Sequence, residues 1–306
     1  METQAAIEQW LGWCLRHRAA STVKQFRSRL SSLTQRFGDR ELSTLTALEL
    51  DEWLHAAGLR TDGTEKAPDT RRNIAVAFEA FQSWAVRFDL LEAPKLTGIE
   101  KPRGRLRERL PTPEEVQAIL DHASPEFALI FRALRQCGAR PSELAAATVA
   151  DLDREPGLIV LEEHKTARKT GVARKIPVGE KLRSLIEESL RARNVESGES
   201  RVEGEDKPTL HSPLPTLHLF TAPSGKPWTS ANLSRTFARC RSRAGLDRRG
   251  LVLYLTRHEH ATQVCREKGI VVAARVLGHS RTATTERYVK TAADELRDAQ
   301  DSFEQG

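Results

Sequence analysis

The run Lys101-Pro102-Arg103-Gly104-Arg105-Leu106-Arg107-Glu108-Arg109-Leu110-Pro111-Thr112-Pro113-Glu114-Glu115 divides the chain in two. Its first part is dense in Lys and Arg and is broken by Pro102 and Gly104. Its last four residues are a helix start: Thr112 as N-cap, Pro113 at the first helical position, and Glu115 closing a capping box. Pro94 and Gly98 already interrupt helical periodicity upstream. Residues 93–110 therefore read as an extended basic linker, either solvated or lying along phosphates. A second domain opens at 111.

Upstream, residues 1–92 read as four helices joined by short polar turns, a small bundle. Ile7, Trp10, Leu11 and Leu15 repeat at helical spacing. Ser21-Thr22 are expected to cap a second helix carrying Val23, Phe26, Leu30, Leu33 and Phe37, which stops at Gly38. A third runs through Leu48, Leu50, Trp53 and Leu54 to Gly58. Residues 59–68 read as a loop. The fourth carries Ile74, Phe78, Phe81, Trp84, Ala85 and Phe88.

Downstream, helices continue from Thr112 to about Cys137. Residues 157–163 and 174–178 read as short strands. The turn between them carries Lys165, Arg168, Lys169 and Gly171, a basic hairpin. Residues 194–216 are polar and read as a long surface loop. Helices are expected near 229–244, 256–268, 270–277, 281–289 and 292–303. The chain is thus mainly α with a small antiparallel β-sheet, a helical domain followed by a mixed α/β domain over 111–306.

The chain has 306 residues and a net charge of +6, which mildly favours a polyanionic partner. Cys14, Cys137, Cys240 and Cys265 lie far apart and form no zinc-type cluster, as expected of reduced thiols in a cytoplasmic protein. No leader and no membrane-spanning apolar run is visible. No Walker loop, dinucleotide fingerprint or zinc motif points to a metabolic enzyme.

Four segments carry residues suited to phosphoryl chemistry. Gly138-Ala139-Arg140-Pro141-Ser142-Glu143-Leu144 places an Arg at a helix entrance. The hairpin supplies Lys165 or Lys169. Tyr254-Leu255-Thr256-Arg257-His258 opens another helix with an Arg. Leu277-Gly278-His279-Ser280 breaks a helix and presents a His, and Tyr288 follows nine positions later. Each alone has a bland reading: a surface Arg, a capping His, a packed Tyr, and for Glu143 a first-turn carboxylate favoured by the helix dipole.

In this order the pieces resemble the tyrosine recombinases, or phage-type integrases. That family's pattern is Gly-x-Arg-x-x-Glu-Leu, a Lys on a β-hairpin, His-x-x-Arg-His, Leu-Gly-His, and a Tyr nine residues on. The resemblance covers nearly the whole chain. It implies a core-binding (SAM-like) four-helix domain over 1–92 and a tyrosine-recombinase catalytic domain over 111–306. It implies Tyr288 as nucleophile, Arg140 and Arg257 as phosphate ligands, His279 beside the phosphate, Lys165 (or Lys169) as general acid, and Glu143 and His258 in support. No cofactor and no metal are implied. Double-stranded DNA is the implied partner, with four protomers on two sites and no membrane.

Chemistry fits these roles. A phosphotyrosyl link stores the energy of the broken phosphodiester. Guanidinium forks grip non-bridging oxygens in a way a Lys does not. One departure stands out: Tyr254 occupies the position where the family most often has His. A phenol with an ordinary pKa of about 10 is a poor proton acceptor near neutrality. That substitution is the one feature favouring a catalytically weak or inactive DNA-binding homologue. His258 and His279 are the alternatives for the base.

Overall fold

The computed structural model describes residues 1–103, 110–164, 167, 171–197, 217–247, 250–279 and 281–288, with side chains left undescribed at 194–197 and 287. Two compact units are present, Met1–Arg107 and Glu108–Gly306.

The first unit contains α1 (Thr3–His17), α2 (Ala20–Phe37), α3 (Ala47–Ala57) and α4 (Pro68–Arg87). Their apolar stripes enclose Trp10, Leu11, Leu30, Leu33, Trp53, Phe78 and Phe81. The Trp10 ring stacks on Phe26 at 4.8 Å and tilts against Phe81 at 5.6 Å, so three helices meet around one indole. Trp53 Nε1–H donates to Ser32 Oγ at 3.1 Å, which satisfies its polar edge. Thr46 and Glu49 form the reciprocal capping box that starts α3.

Two local expectations change. Ser21-Thr22 do not cap α2. The carbonyl of Ala19 accepts from Thr22 N at 2.9 Å and closes the turn, so both residues lie inside the helix. Residues 93–103, expected as part of an extended connector, lie against the bundle. Gln82 Nε2–H donates to Leu96 O at 2.7 Å, Leu96 N–H donates back to Gln82 Oε1 at 3.3 Å, and Lys101 pairs with Glu79 at 2.7 Å. Pro94 and Gly98 end helical structure there, but Leu96 and Ile99 still find the core.

The second unit contains α5 (Pro113–Asp121), α6 (Pro125–Cys137), α7 (Pro141–Ala146), α8 (Val149–Asp153), β1 (Leu158–Leu161), β2 (Arg174–Pro177), α9 (Glu180–Ser197), α10 (Ser230–Arg243) and α11 (Leu255–Leu277). Thr112 N–H donates to Glu115 Oε2 at 3.0 Å and Glu115 N–H donates to Thr112 Oγ1 at 3.3 Å, the box read from sequence. β1 and β2 pair antiparallel with Ile159 opposite Ile176. Both join the core of Phe127, Ile130, Leu134 and Phe220.

Helix α9 is not evident from the sequence pattern. It buries Leu182 and Ile186 on one side of a strongly charged segment, and it runs into the expected 194–216 loop as far as Ser197. Residues 198–216 lie outside the described residues. α11 bends at Gly269, where φ is 79° and ψ is 167°, which yields the two expected helical segments. Over 281–288, the described part of the helix expected at 281–289, stand two 3-10 turns, Thr282–Thr284 and Glu286–Tyr288. Thr282 to Thr285 offer no apolar stripe to hold a longer helix. The expected helix over 292–303 lies outside the described residues. Among the described residues, no helix is long and apolar enough to cross a membrane.

Candidate active site

Two helix ends and one helix start meet in the second unit. α6 ends at Gly138 with φ 58°, and α11 ends at Gly278 with φ 66°, both left-handed caps. Arg257, in the first turn of α11, is fully buried between them. Its Nη1 donates to Gly138 O at 2.8 Å and its Nη2 donates to Leu277 O at 2.8 Å. Carbonyls at helix C-termini carry partial negative charge, so two helix ends offset the cost of burying one guanidinium.

Nη2 of Arg257 also lies 3.1 Å from His279 Nε2. A guanidinium only donates, so Nε2 accepts and the imidazole proton sits on Nδ1. Nδ1–H then donates to Thr285 Oγ1 at 2.8 Å. The His279 ring is thus held by Arg257 at Nε2 and by Thr285 at Nδ1.

Arg140 caps α7. Its backbone N–H donates to Glu143 Oε2 at 3.0 Å, and Nη1 donates to Oε1 of the same carboxylate. The Glu143 side chain is 3% exposed and that of Arg140 is 16% exposed, so the guanidinium keeps an open edge. Burial pushes the Glu143 carboxyl up, but the charge of Arg140, its backbone N–H, its side-chain hydrogen bond and the charge of Arg174 hold it below the ordinary glutamate value.

Tyr288 is buried in the second 3-10 turn, where its N–H donates to Thr285 O at 2.9 Å. Its ring packs with Ala261, Leu277 and Cys265. The His258 ring meets it edge-on at 5.0 Å, and the His279 ring lies parallel to it, 12° off, at 6.2 Å. Tyr254, at the entrance of α11, meets His258 edge-on at 5.4 Å. His258 thus touches both phenols.

Arg257, His279, Tyr288, His258 and Tyr254 are therefore gathered by direct contact. Arg140 joins through Glu143, and through Gly138 two positions before it. Lys165 and Lys169 lie outside the described residues. At the ends of their turn, His164 Nε2–H donates to Val172 O at 3.0 Å.

The sequence profile of the phage integrase family matches residues 109–295, well over half of the chain. The chain belongs to the phage integrase family. Tyrosine recombinase XerD of Vibrio cholerae is 25% identical to it, over 96% of this chain and 94% of XerD. Tyrosine recombinase XerA of Thermococcus kodakarensis is 29% identical, over 76% of this chain and 75% of XerA. A lambda integrase fragment solved as a dimer bound to a COC′ core site superposes with a TM-score of 0.71 at 15% identity, over 93% of this chain and 97% of that one. The Tn1549 transposon integrase with a circular intermediate DNA gives a TM-score of 0.71 at 17% identity, over 99% of each chain. These likenesses establish a shared fold.

Within this phage integrase fold, two residues join the site that the sequence motifs do not name. Thr285 holds His279 from behind. Arg174, the first residue of β2, is buried beside Glu143, with Nε 3.7 Å from Glu143 Oε2. The strand alternation signals it: Arg174 and Ile176 face inward while Lys175 and Pro177 face out, so the apolar side of the hairpin carries a charge.

Proposed function

We propose that this member of the phage integrase family is a site-specific DNA recombinase that cuts and rejoins DNA through a 3′-phosphotyrosine at Tyr288. The observation that carries the reading is the succession Arg257–His279–Tyr288: an arginine 3.1 Å from the imidazole, which lies parallel to the tyrosine ring.

The phenolic oxygen of Tyr288 attacks the scissile phosphorus. A bond forms from phosphorus to Tyr288, and the bond to the 5′-oxygen breaks. The leaving oxygen takes a proton from the hairpin lysine, Lys165 or Lys169, and departs as a hydroxyl. His258, edge-on to Tyr288, accepts the phenolic proton, since Tyr254 is a weak base there. Arg140 and Arg257 neutralise the charge on the non-bridging oxygens in the transition state. A free 5′-hydroxyl from another strand reverses the step and restores the phosphodiester, so neither ATP nor a metal is consumed. Arg257 and Tyr288 are covered in the free chain, so DNA binding is accompanied by local opening around them.

The four-helix unit serves as the core-binding domain, and four protomers act on two duplex sites in the cytoplasm. Lambda integrase has been solved as a tetramer on a Holliday junction, and its fold matches with a TM-score of 0.71. A second reading, DNA binding with weak or no chemistry, draws on Tyr254 alone.

A plasmid library with randomised inserts tests the choice. Active protein yields new junctions that recur at one short core sequence, and Tyr288→Phe yields none. Retention of plasmid by the protein without any new junction supports the second reading.

A further inference from the structure

Arg174 is the least expected residue in the second unit. It stands on a strand whose other inward residue is Ile176, and its side chain is 3% exposed. Burying a guanidinium costs more than burying an apolar side chain of similar volume, so the position calls for a reason beyond packing. Its donors are directed. Nη1 donates to Lys175 O at 2.6 Å and Nη2 donates to Val276 O at 2.6 Å, three residues before His279. Nε faces Glu143, which holds Arg140.

Gly278 completes the arrangement. A Cβ there would stand 2.8 Å from Arg174 Cδ and 2.9 Å from Nε, closer than real Cβ contacts come. The glycine is needed for its left-handed backbone and also to let the guanidinium pass. Arg140 and Arg174 both face the carboxylate of Glu143, and the charge of Arg257 is felt at Arg174, so this cluster carries surplus positive charge suited to an anion.

We propose that Arg174 is a positioning residue for strand cleavage: it ties the Arg140 limb, through Glu143, to the His279 limb, through Val276 and Gly278, on the strand that follows the lysine-bearing turn. This rests on the recombinase reading. The polar atoms of Arg174 face two backbone carbonyls and Glu143, so it acts by setting where Arg140 and His279 stand.

The test uses full-length wild type, Arg174→Met and Arg174→Lys. Single-turnover cleavage is measured on a nicked suicide duplex with an ordinary scissile phosphate and on one with a methylphosphonate, where a methyl group removes one non-bridging charge. Misplaced phosphate ligands cost on the order of 100-fold. Arg174→Met is expected to lose about that factor on the phosphate, with unchanged DNA affinity, and to come within about 10-fold of wild type on the methylphosphonate, which asks less of Arg140. Arg174→Lys recovers part of the loss. A merely unfolded variant loses equally on both substrates.

Amide hydrogen exchange gives a readout independent of catalysis. Arg174→Met is expected to speed exchange over 140–146 and 276–279 together, and to leave α1–α4 as they were. Cleavage within about threefold of wild type, an equal loss on both duplexes, or unchanged exchange in both segments overturns the proposal. Absence of a Tyr288-dependent adduct in wild type would sink the recombinase reading instead, and the exchange result would still decide whether Arg174 ties the two limbs.

Discussion

Arg257 donates to His279 across 3.1 Å, and the imidazole is turned so that its other nitrogen donates to Thr285. The arginine also holds the carbonyls that end two helices. It is thus both the frame of the site and its proposed phosphate ligand, and these roles predict different losses.

Arg257→Lys keeps the charge but replaces a planar fork with one ammonium. Leaving buried carbonyls unpartnered costs about 1–3 kcal/mol each. The variant is expected to melt at lower temperature and to cleave at least about 100-fold more slowly, a loss larger than its stability deficit explains. Calorimetry beside single-turnover cleavage separates the two. A normal melting temperature with normal cleavage would refute both roles.

Gly138 is expected to tolerate no side chain. Its φ is 58°, and a Cβ would stand 2.5 Å from His260 Cδ2. Gly138→Ala should destabilise the protein by about 1–3 kcal/mol. Combining it with His260→Ala should recover part of that, because the obstructing ring is removed. Denaturant titrations of the single and double variants give the coupling.

Much of this site is legible in the sequence, because glycines and prolines mark its helix ends. Gly138 and Gly278 announce the caps that Arg257 joins, and Pro141 announces the start of α7. The box at Thr112 marks the start of α5, the first helix of the second unit. What the sequence conceals depends on tertiary neighbours. α9 buries a few apolar residues among many charges, so its pattern reads as polar. Arg174 is hidden by residue type, since an arginine on a strand is ordinarily taken as outward-facing. Thr285 gains its role only because His279 is turned toward it.

Acid should loosen the site in two steps. Burial, with Arg257 nearby, lowers the His260 pKa, partly opposed by a backbone hydrogen bond at Arg135 and by Glu259 and Glu267. The unfolded chain then binds a proton at His260 before the folded one does. Stability present above the ordinary histidine value of about 6.5 is lost as pH falls toward the lower folded value. Glu143, also lowered, keeps its contribution above the ordinary glutamate value of about 4.3 and loses it further down. Melting temperatures from pH 8 to about 2.5 should fall in both windows, and His260→Gln should remove the upper one. A variant whose profile matches wild type above about pH 5 would contradict the assignment.

Tyr254→His should raise the cleavage rate near neutral pH, since an imidazole accepts protons where a phenol does not. An increase of about 10-fold is expected, within the range of a general base. An unchanged or lower rate would mean that Tyr254 itself serves a purpose the histidine does not copy.

The hairpin acid is assigned by substrate chemistry. A 5′-bridging sulfur leaves without a proton, so it restores cleavage to a variant lacking the acid. Of Lys165→Met and Lys169→Met, one should be rescued by that duplex and the other should not need it. Rescue of neither, with both impaired on the ordinary duplex, would assign the lysines to DNA binding.

The central claim is that Tyr288 becomes covalently joined to DNA. Wild type and Tyr288→Phe are incubated in EDTA with nicked suicide duplexes carrying the junction recovered from the plasmid library, then denatured, digested with nuclease and analysed by peptide mass spectrometry. The account predicts a nucleotide 3′-phosphate on the peptide containing Tyr288, formed without metal and absent from the Phe variant. An adduct on Tyr254, or none from protein shown to bind the same duplex, would contradict it.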